Sequence, residues 1–536
     1  MLGLDPTRRG LALRMAIAAI LAFSIAALLD VHNAYWAAMP VWVVAQSSRG
    51  LLIERGVFRI LGTLAGAAAG FALLDVTRDP VILLTALAAW VALMAGLTHV
   101  VAGVKSYGVM LAGMTTAVVL LPSLHAGEHL LPLAVARVEC TLIGVLVVTL
   151  VTGWWTPGAG RQDFYLRVKR MAADADAFAA LAIAGKDDAE TKALEQQVLR
   201  EIVDTDALAR SMAAGSLEGY RRMRHTTALT AASLSLMAVA RALRARLARG
   251  DSSIGDDALD TSRLAARRHI EQAGQALHDG RPAAGGYPDI APPRDWHKAR
   301  KRGLIAGSAT YAASMFGLWS GWGAGELMAL GVCIFSMVLG SLPTPRVVAP
   351  KLLVGVLAGV AAATFYRFVL QPHVDGTASL IISVAPFILV GAWARLHPRT
   401  AMPALDANMC FMLGSQAGMP AAGAAEILGG SAALALAAVL VAVTLLVAPD
   451  PRDARLRALA AGLPKDLGRR QSATARRVVQ VLAEHRRARP AEPLPVGVVD
   501  VVALGELMAT GSNSGVAQRD AAAARESCAE WLPPRG

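Results

Sequence analysis

Apolar residues in this chain come in long runs scarcely broken by charge, and twelve such runs can be marked off. A bilayer-spanning helix needs about 20 mostly apolar residues, and tilt or local thinning admits fewer. The first six runs cover residues 11–29, 35–47, 57–74, 81–98, 104–121 and 133–155. The other six cover 304–319, 327–342, 352–370, 380–396, 402–418 and 427–448. The two sets read as copies of one plan. Gly62-x-Leu64-Ala65-Gly66 returns as Gly355-x-Leu357-Ala358-Gly359, and Arg9-Gly10-Leu11 returns as Arg302-Gly303-Leu304 at the same offset. The pattern predicts an all-α integral membrane protein of about twelve transmembrane helices, built as two parallel six-helix repeats, each followed by a helical cytosolic segment. The expected division is 1–157 for the first repeat, 158–300 for a helical cytosolic domain, 301–449 for the second repeat and 450–536 for a cytosolic tail.

Composition agrees with the pattern. Over 536 residues, 55% are hydrophobic and only 17% charged, and the mean hydropathy is +0.47, too apolar for an ordinary soluble domain of this size. The charges that remain are unevenly placed. Arg8, Arg9, Arg14, Arg49, Arg55, Arg59, Lys105, Arg346, Lys351, Arg395 and Arg399 fall on one side of the predicted spans, against Arg78 and Arg367 on the other. Short cytoplasmic loops keep Lys and Arg, so both termini and the 158–300 segment are expected in the cytoplasm. That topology, with attraction to anionic lipid, accounts for the net charge of +12 without nucleic acid. Arg14 lies about one turn into the first span, where it can snorkel to the headgroups. Thr7-Arg8-Arg9 superficially resembles an export signal, but no Ala-x-Ala site closes the run and no cleavage is expected.

Four cysteines, Cys140, Cys333, Cys410 and Cys528, supply neither a metal tetrad nor a secreted disulfide framework, and reduced thiols are expected. His125-Ala126-Gly127-Glu128-His129 matches a zinc-peptidase pattern, but in a short loop between Pro122 and Pro132 it lacks the helix and third ligand that chemistry needs. No metal and no cofactor are expected. No GxxxxGK[ST] sequence occurs in the chain, so ATP hydrolysis is not the expected driving force, and no enzymatic activity is expected.

Candidate transport chemistry gathers around the second run. It is short, Pro40 falls in its middle, it leads into a basic loop with Arg49, Arg55 and Arg59, and its counterpart 327–342 ends in Pro343-Thr344-Pro345. Broken spans at matching places in two repeats point to a transporter's substrate site, because unwound backbone must face a cavity; a shallowly tilted helix is the plainer alternative. Tyr35 and Trp36 fall at the outer interface, where aromatic belts form. Trp42 is deeper, either stacking on an aromatic substrate or packing. Trp154, Trp155, Trp319, Trp322 and Trp393 lie near span ends and read as belt. Gly62, Gly66 and Gly70 make one smooth face for helix packing, and Gly355 with Gly359 repeats two of its positions.

Ionisable residues inside a span are costly and mark pathways or partners. Arg137 and Glu139 in the sixth run are two residues apart, so each needs another partner. Arg137 either snorkels outward or attracts an anionic substrate, and Glu139 is a candidate for proton coupling. Glu326 stands at the outer mouth of the eighth run, and a substrate anion is expected between the repeats near Trp36, Pro40, Trp42, Glu326 and the Pro343 region, with Arg137 supplying attraction. Asp406, with Asn408, lies in the eleventh, either carrying a coupling proton or capping a helix after Pro403. The 158–300 segment turns to Ala, Arg, Asp and Glu with helical periodicity, including a Leu194, Val198 and Ile202 stripe. It offers a docking or dimerisation surface, and a homo-oligomer is expected. After Pro490 the tail composition predicts partial disorder.

Tyr35-Trp36-Ala37 leading to Gly50, then Arg59-x-x-Gly62-Thr63-x-x-Gly66, resembles the amino-terminal signature of the fusaric acid resistance (FUSC) family, also called aromatic acid exporters. Phe335 with Pro343-Thr344-Pro345-Arg346, and Ala385-Pro386-Phe387, resemble its second half. The likeness runs from about Arg9 to Pro449. Gln46-Ser47-Ser48-Arg49 departs from it, since many relatives place a proline before the glycine. The resemblance implies a multi-pass bacterial inner-membrane transporter that exports aromatic carboxylates or similar weak organic acids, driven by protons. It also implies a periplasmic membrane-fusion adaptor and an outer-membrane channel as partners. A passive organic-anion channel and a membrane scaffold with a working cytosolic domain are the alternatives.

Overall fold

Nineteen α-helices and no strand occur among the described residues of the computed structural model. These are 6–45, 49–101, 103–126, 130–155, 160–186, 189–214, 217–250, 258–279, 296–342, 344–447, 456–457, 459–463, 471–509 and 515–529. In chain order, α1 (Pro6–Leu28) leads into a 3-10 turn (Ala34–Ala37) and the short α2 (Met39–Val44). Then come α3 (Arg49–Val76), α4 (Pro80–Leu97), α5 (Lys105–Ala126) and α6 (Leu130–Trp155). A polar set follows: α7 (Arg161–Ile183), α8 (Ala189–Ala213), α9 (Leu217–Ala248) and α10 (Ala258–Asp279). The second apolar set is α11 (Trp296–Ser320), α12 (Gly325–Ser341), α13 (Pro345–Phe365), α14 (Thr377–Ala394), α15 (Ala401–Ser415) and α16 (Ala424–Val447). Last are α17 (Gln471–Ala488), α18 (Asp500–Ala509) and α19 (Gly515–Ser527).

The chain divides into two compact units, Met1–Gly158 with Pro292–Ala448, and Ala159–Ala291 with Pro449–Gly536. Unit 1 has an apolar core and also carries large apolar side chains on its outside. On α3 the exposed positions include Ile53, Val57, Leu61, Leu64 and Phe71, while Gly56, Arg59, Thr63, Gly66 and Gly70 are buried. Apolar side chains outside, with small residues where helices meet, are what hydrocarbon solvent selects. Nine helices among the described residues are long and apolar enough to cross a bilayer, one of them Glu218–Ala248 in unit 2. That one is buried for another reason, since α7, α8 and α10 all pack on α9 and cover it on several sides.

Helix ends follow local chemistry. Asp79 caps α4, its carboxylate accepting from the Val81 and Ile82 amides at 2.9 and 3.0 Å, with Pro80 in the first turn where its missing N–H costs nothing. Arg346 donates to the Leu445 and Leu446 carbonyls, satisfying the end of α16.

Pairing between helices repeats across the halves. The third and fifth helices of each apolar set pack together, as α3 on α5 and α13 on α15. First and fourth helices pair across the sets, α1 with α14 and α11 with α4, and so do second and fifth, α2 with α15 and α12 with α5.

Two expectations change. The basic stretch containing Arg55 and Arg59 is no loop: it forms the first turns of α3, which begins at Arg49. The second run is two pieces, a 3-10 turn and a six-residue helix, with Pro40 in the first turn of the helix and not in its middle. Beyond Pro490 the described residues include Val498, Val501, Val502 and Leu504, buried in the core of unit 2.

Unit 2 joins 161–279 to 456–529 by buried charge pairs as well as apolar contact. Arg241 of α9 reaches Asp500 at 2.8 and 3.1 Å and Glu195 at 2.5 Å, and these carboxylates hold its guanidinium above the usual arginine range. Arg246 pairs with Asp520, both 1% exposed, and Arg249 reaches the other oxygen of Asp520 at 2.7 Å.

Candidate functional site

The broken second span is buried from Ala34 to Val44, apart from a half-buried Val43. Eleven residues in two pieces reach about 17 Å at most, short of the bilayer core, and its backbone ends need partners inside the protein. Arg55 Nη1 donates to the Val43 carbonyl at 3.1 Å. Gly144 of α6 makes room for the break, since a Cβ there would stand 2.4 Å from the Ala37 carbonyl oxygen and 2.7 Å from Pro40 Cγ. Cys140 Sγ reaches the Asn33 carbonyl at 3.7 Å.

Against this span lies a group rich in hydrogen-bond donors. Arg137 is 8% exposed, and its guanidinium carbon stands 4.9 Å from the centroid of the Trp36 ring. It therefore neither snorkels nor pairs with Glu139. Tyr35 meets Trp36 edge-on at 5.8 Å. Both aromatic residues are buried, which corrects their reading as an interface belt: the 3-10 turn points them into the unit. Arg59 of α3 is 3% exposed, donates to Tyr107 Oη at 2.6 Å, and lies within Coulombic range of Arg137. Arg55 stacks over the same Tyr107 ring at 5.5 Å. Neither Arg59 nor Arg137 has a carboxylate partner among the described residues, and the Nε of each is unbonded. Trp42, 2% exposed, also leaves its indole N–H unpaired. Burying a guanidinium without a carboxylate costs several kcal/mol by order of magnitude, and two of them beside unpaired donors leave an excess of positive charge in this region. The ring of Trp36 offers an apolar wall.

Of the residues singled out from the sequence, Trp36, Pro40, Trp42 and Arg137 come together here. Glu139 does not: it is exposed on α6, in line with exposed Val135, Leu142, Leu146 and Leu150. Glu326 is partly buried in the first turn of α12. Pro343 lies outside the described residues, as do the side chains of the His125 to His129 stretch. Asp406 is half-buried on α15, facing Gly355 and within Coulombic range of Arg395, while α15 packs against the broken span. A Cβ on Gly62 or Gly66 would stand 2.3 or 2.5 Å from the Gly108 or Ala112 carbonyl oxygen. On Gly355 or Gly359 it would stand 2.2 or 2.3 Å from that of Pro403 or Ala407. Trp154, Trp319 and Trp393 are strongly exposed, as belt residues would be.

Sequence reasoning missed Arg59 and Tyr107. From the sequence Arg59 reads as a loop charge, although it stands three residues before Gly62, one turn away on the packing face. Tyr107 carried no signal, since its role depends on where α5 lies against α3.

Comparison with known proteins places this arrangement. An uncharacterized transporter of Gluconobacter oxydans is 21% identical over 481 residues, 76% of this chain and 65% of that protein. The p-hydroxybenzoic acid efflux pump subunit AaeB of Erwinia billingiae is 20% identical over 436 residues, 71% of this chain and 67% of the relative. Its namesake in Edwardsiella ictaluri is 22% identical over 415 residues, 67% and 64%. The chain thus spans about two thirds of the length of these curated relatives. No solved structure matches. The sequence profile of the Fusaric acid resistance protein family matches residues 9–267 and 258–490, and this multi-pass membrane protein belongs to that family.

Proposed function

We propose that the chain is the membrane-embedded part of an efflux transporter for aromatic carboxylic acids or similar weak organic acids. It would lie in a bacterial inner membrane with both termini and unit 2 in the cytoplasm. The observation that carries this reading is the pair of buried guanidinium groups, Arg59 and Arg137, which have no carboxylate partner among the described residues. A substrate carboxylate supplies the missing charge, and its ring lies against Trp36 and Trp42. The relatives named for p-hydroxybenzoic acid efflux support the substrate class.

Export is driven by the proton gradient in this reading, with Asp406 as the titrating group. It is a half-buried carboxylate on the helix that touches both Gly355 and the broken span. Glu139 has a different part. A carboxylate about 14 Å down α6 on an apolar outward stripe is costly in lipid, so a second copy of the chain covers it in a homo-oligomer. A periplasmic adaptor of the membrane-fusion type and an outer-membrane channel complete the pathway. The second reading, a passive organic-anion channel, draws on the same unpaired arginines.

Export of a panel of aromatic acids from cells expressing the protein, with and without a protonophore, is the test. Export that stops when the gradient collapses supports the pump, and flux that follows voltage alone supports the channel. No export of any acid overturns both.

A further inference from the structure

Arg367 is a third buried guanidinium of unit 1, and the site above does not use it. It sits on a π-helical turn, Tyr366–Leu370, that continues α13. Such a turn inserts one residue into the helical register and re-aims the side chains that follow; π turns gather at functional sites. Arg367 is 5% exposed and its Nε is unbonded. Its ion-pair partner is Glu426, at 3.7 Å, whose side chain is 70% exposed in the first turn of α16. That separation is long for a hydrogen-bonded pair, so a buried cation is held loosely by an exposed carboxylate. Gln371 Nε2 donates to the Met419 carbonyl at 3.0 Å, tying the turn to the segment that leads into α16.

Tyr35 links this place to the first site, for it lies within Coulombic range of both Arg137 and Arg367. Arg137 is in turn within range of Arg59. The three guanidinium groups form a file. Arg59 is about 15 Å along α3 from its Arg49 end, and Arg367 about 33 Å along α13 from its Pro345 end. Both helices begin on the side that carries the basic loops, so the file climbs toward the opposite side.

We infer that Arg367 and Glu426 form the exit site of this file: an organic carboxylate arriving from Arg137 is received on Arg367 by displacing Glu426, which re-forms the pair when the anion departs. A guanidinium fork accepts one carboxylate well, so substrate and Glu426 compete for the same donors. The competition frees the product and opposes its return. The inference rests on the anion-export reading above.

The test uses right-side-out membrane vesicles carrying the full-length protein, preloaded with labelled p-hydroxybenzoate, with unlabelled p-hydroxybenzoate added outside. External anion inhibits export by occupying the exit site. Glu426→Gln removes the competitor, and half-inhibition is expected at an external concentration about tenfold lower. Arg367→Gln is expected to raise that concentration about tenfold, with Arg367→Lys between it and the parent. Glu426 is exposed, so its substitution is expected to leave the fold intact, and melting temperatures in detergent check all three variants. Unchanged external inhibition in Glu426→Gln and Arg367→Gln, with export intact, overturns the exit site and leaves the transport reading standing. Absence of export by the parent protein overturns the transport reading, and the exit site with it.

Discussion

The Arg137 guanidinium stands over the Trp36 ring with 4.9 Å between its carbon and the ring centroid, and both residues are buried. The contact holds a cation in the interior by the quadrupole of an aromatic face, worth about 0.5–2 kcal/mol, while the guanidinium Nε is left without a hydrogen-bond partner. Arg137→Gln is therefore expected to weaken export affinity about tenfold or more, and Arg137→Lys to recover part of it. Trp36→Phe keeps a π face and should cost less than Trp36→Leu. Export rates against internal substrate concentration check the order.

Close helix approach in the two halves rests on glycine at corresponding places. A Cβ at Gly66 would meet the Ala112 carbonyl oxygen at 2.5 Å, and one at Gly359 the Ala407 carbonyl oxygen at 2.3 Å. Neither neighbour is the flexible end of a side chain, so the helices must part. Gly66→Leu and Gly359→Leu are each expected to destabilise unit 1 by more than the ~1–3 kcal/mol typical of overpacking. Thermal melts of the detergent-solubilised protein measure the loss, and the two variants should fall alike. A large effect from one and none from the other would contradict equivalent packing in the repeats.

Asp406 and Glu139 are separated by their surroundings, one half-buried beside α13 and one exposed on an apolar stripe. Asp406→Asn should leave substrate export insensitive to a protonophore or abolish it. Glu139→Lys should lower the oligomer fraction seen by cross-linking in the membrane. Full gradient-driven export by Asp406→Asn would remove that residue from coupling.

Cys528 of unit 2 is buried, and burial pushes its thiol up from 9.0 to about 11. The unfolded chain releases this proton near 9.0, and the folded chain holds it until about pH 11. The group's contribution is therefore fully present below pH 9 and is lost as pH rises from there toward 11. Melting curves should show the parent protein losing more stability across that window than Cys528→Ala. The buried thiol should also resist alkylation at pH 8 until the protein is denatured.

Much of the architecture was legible in the order of residues. The apolar runs mark where hydrocarbon can be the solvent, because no other setting tolerates so many consecutive uncharged residues. The duplicated Gly-x-Leu-Ala-Gly announces matching packing faces, and the early Pro40 announces the break. Other features depend on which helices meet. Arg59 looks like a loop charge until α3 is seen to begin at Arg49 and Tyr107 of α5 is found beside it. Glu139 looks like an interior carboxylate until the rotation of α6 turns it outward and Arg137 inward, a difference of two residues on a helix. Helical rotation and partner choice are settled by packing over the whole unit, and local sequence carries too little of that energy to reveal them. The sequence by itself determined the membrane class, the duplicated glycine motif and the short Pro40 run; only the tertiary structure decided which charges lie near one another, because helix rotation is set by packing over the whole unit.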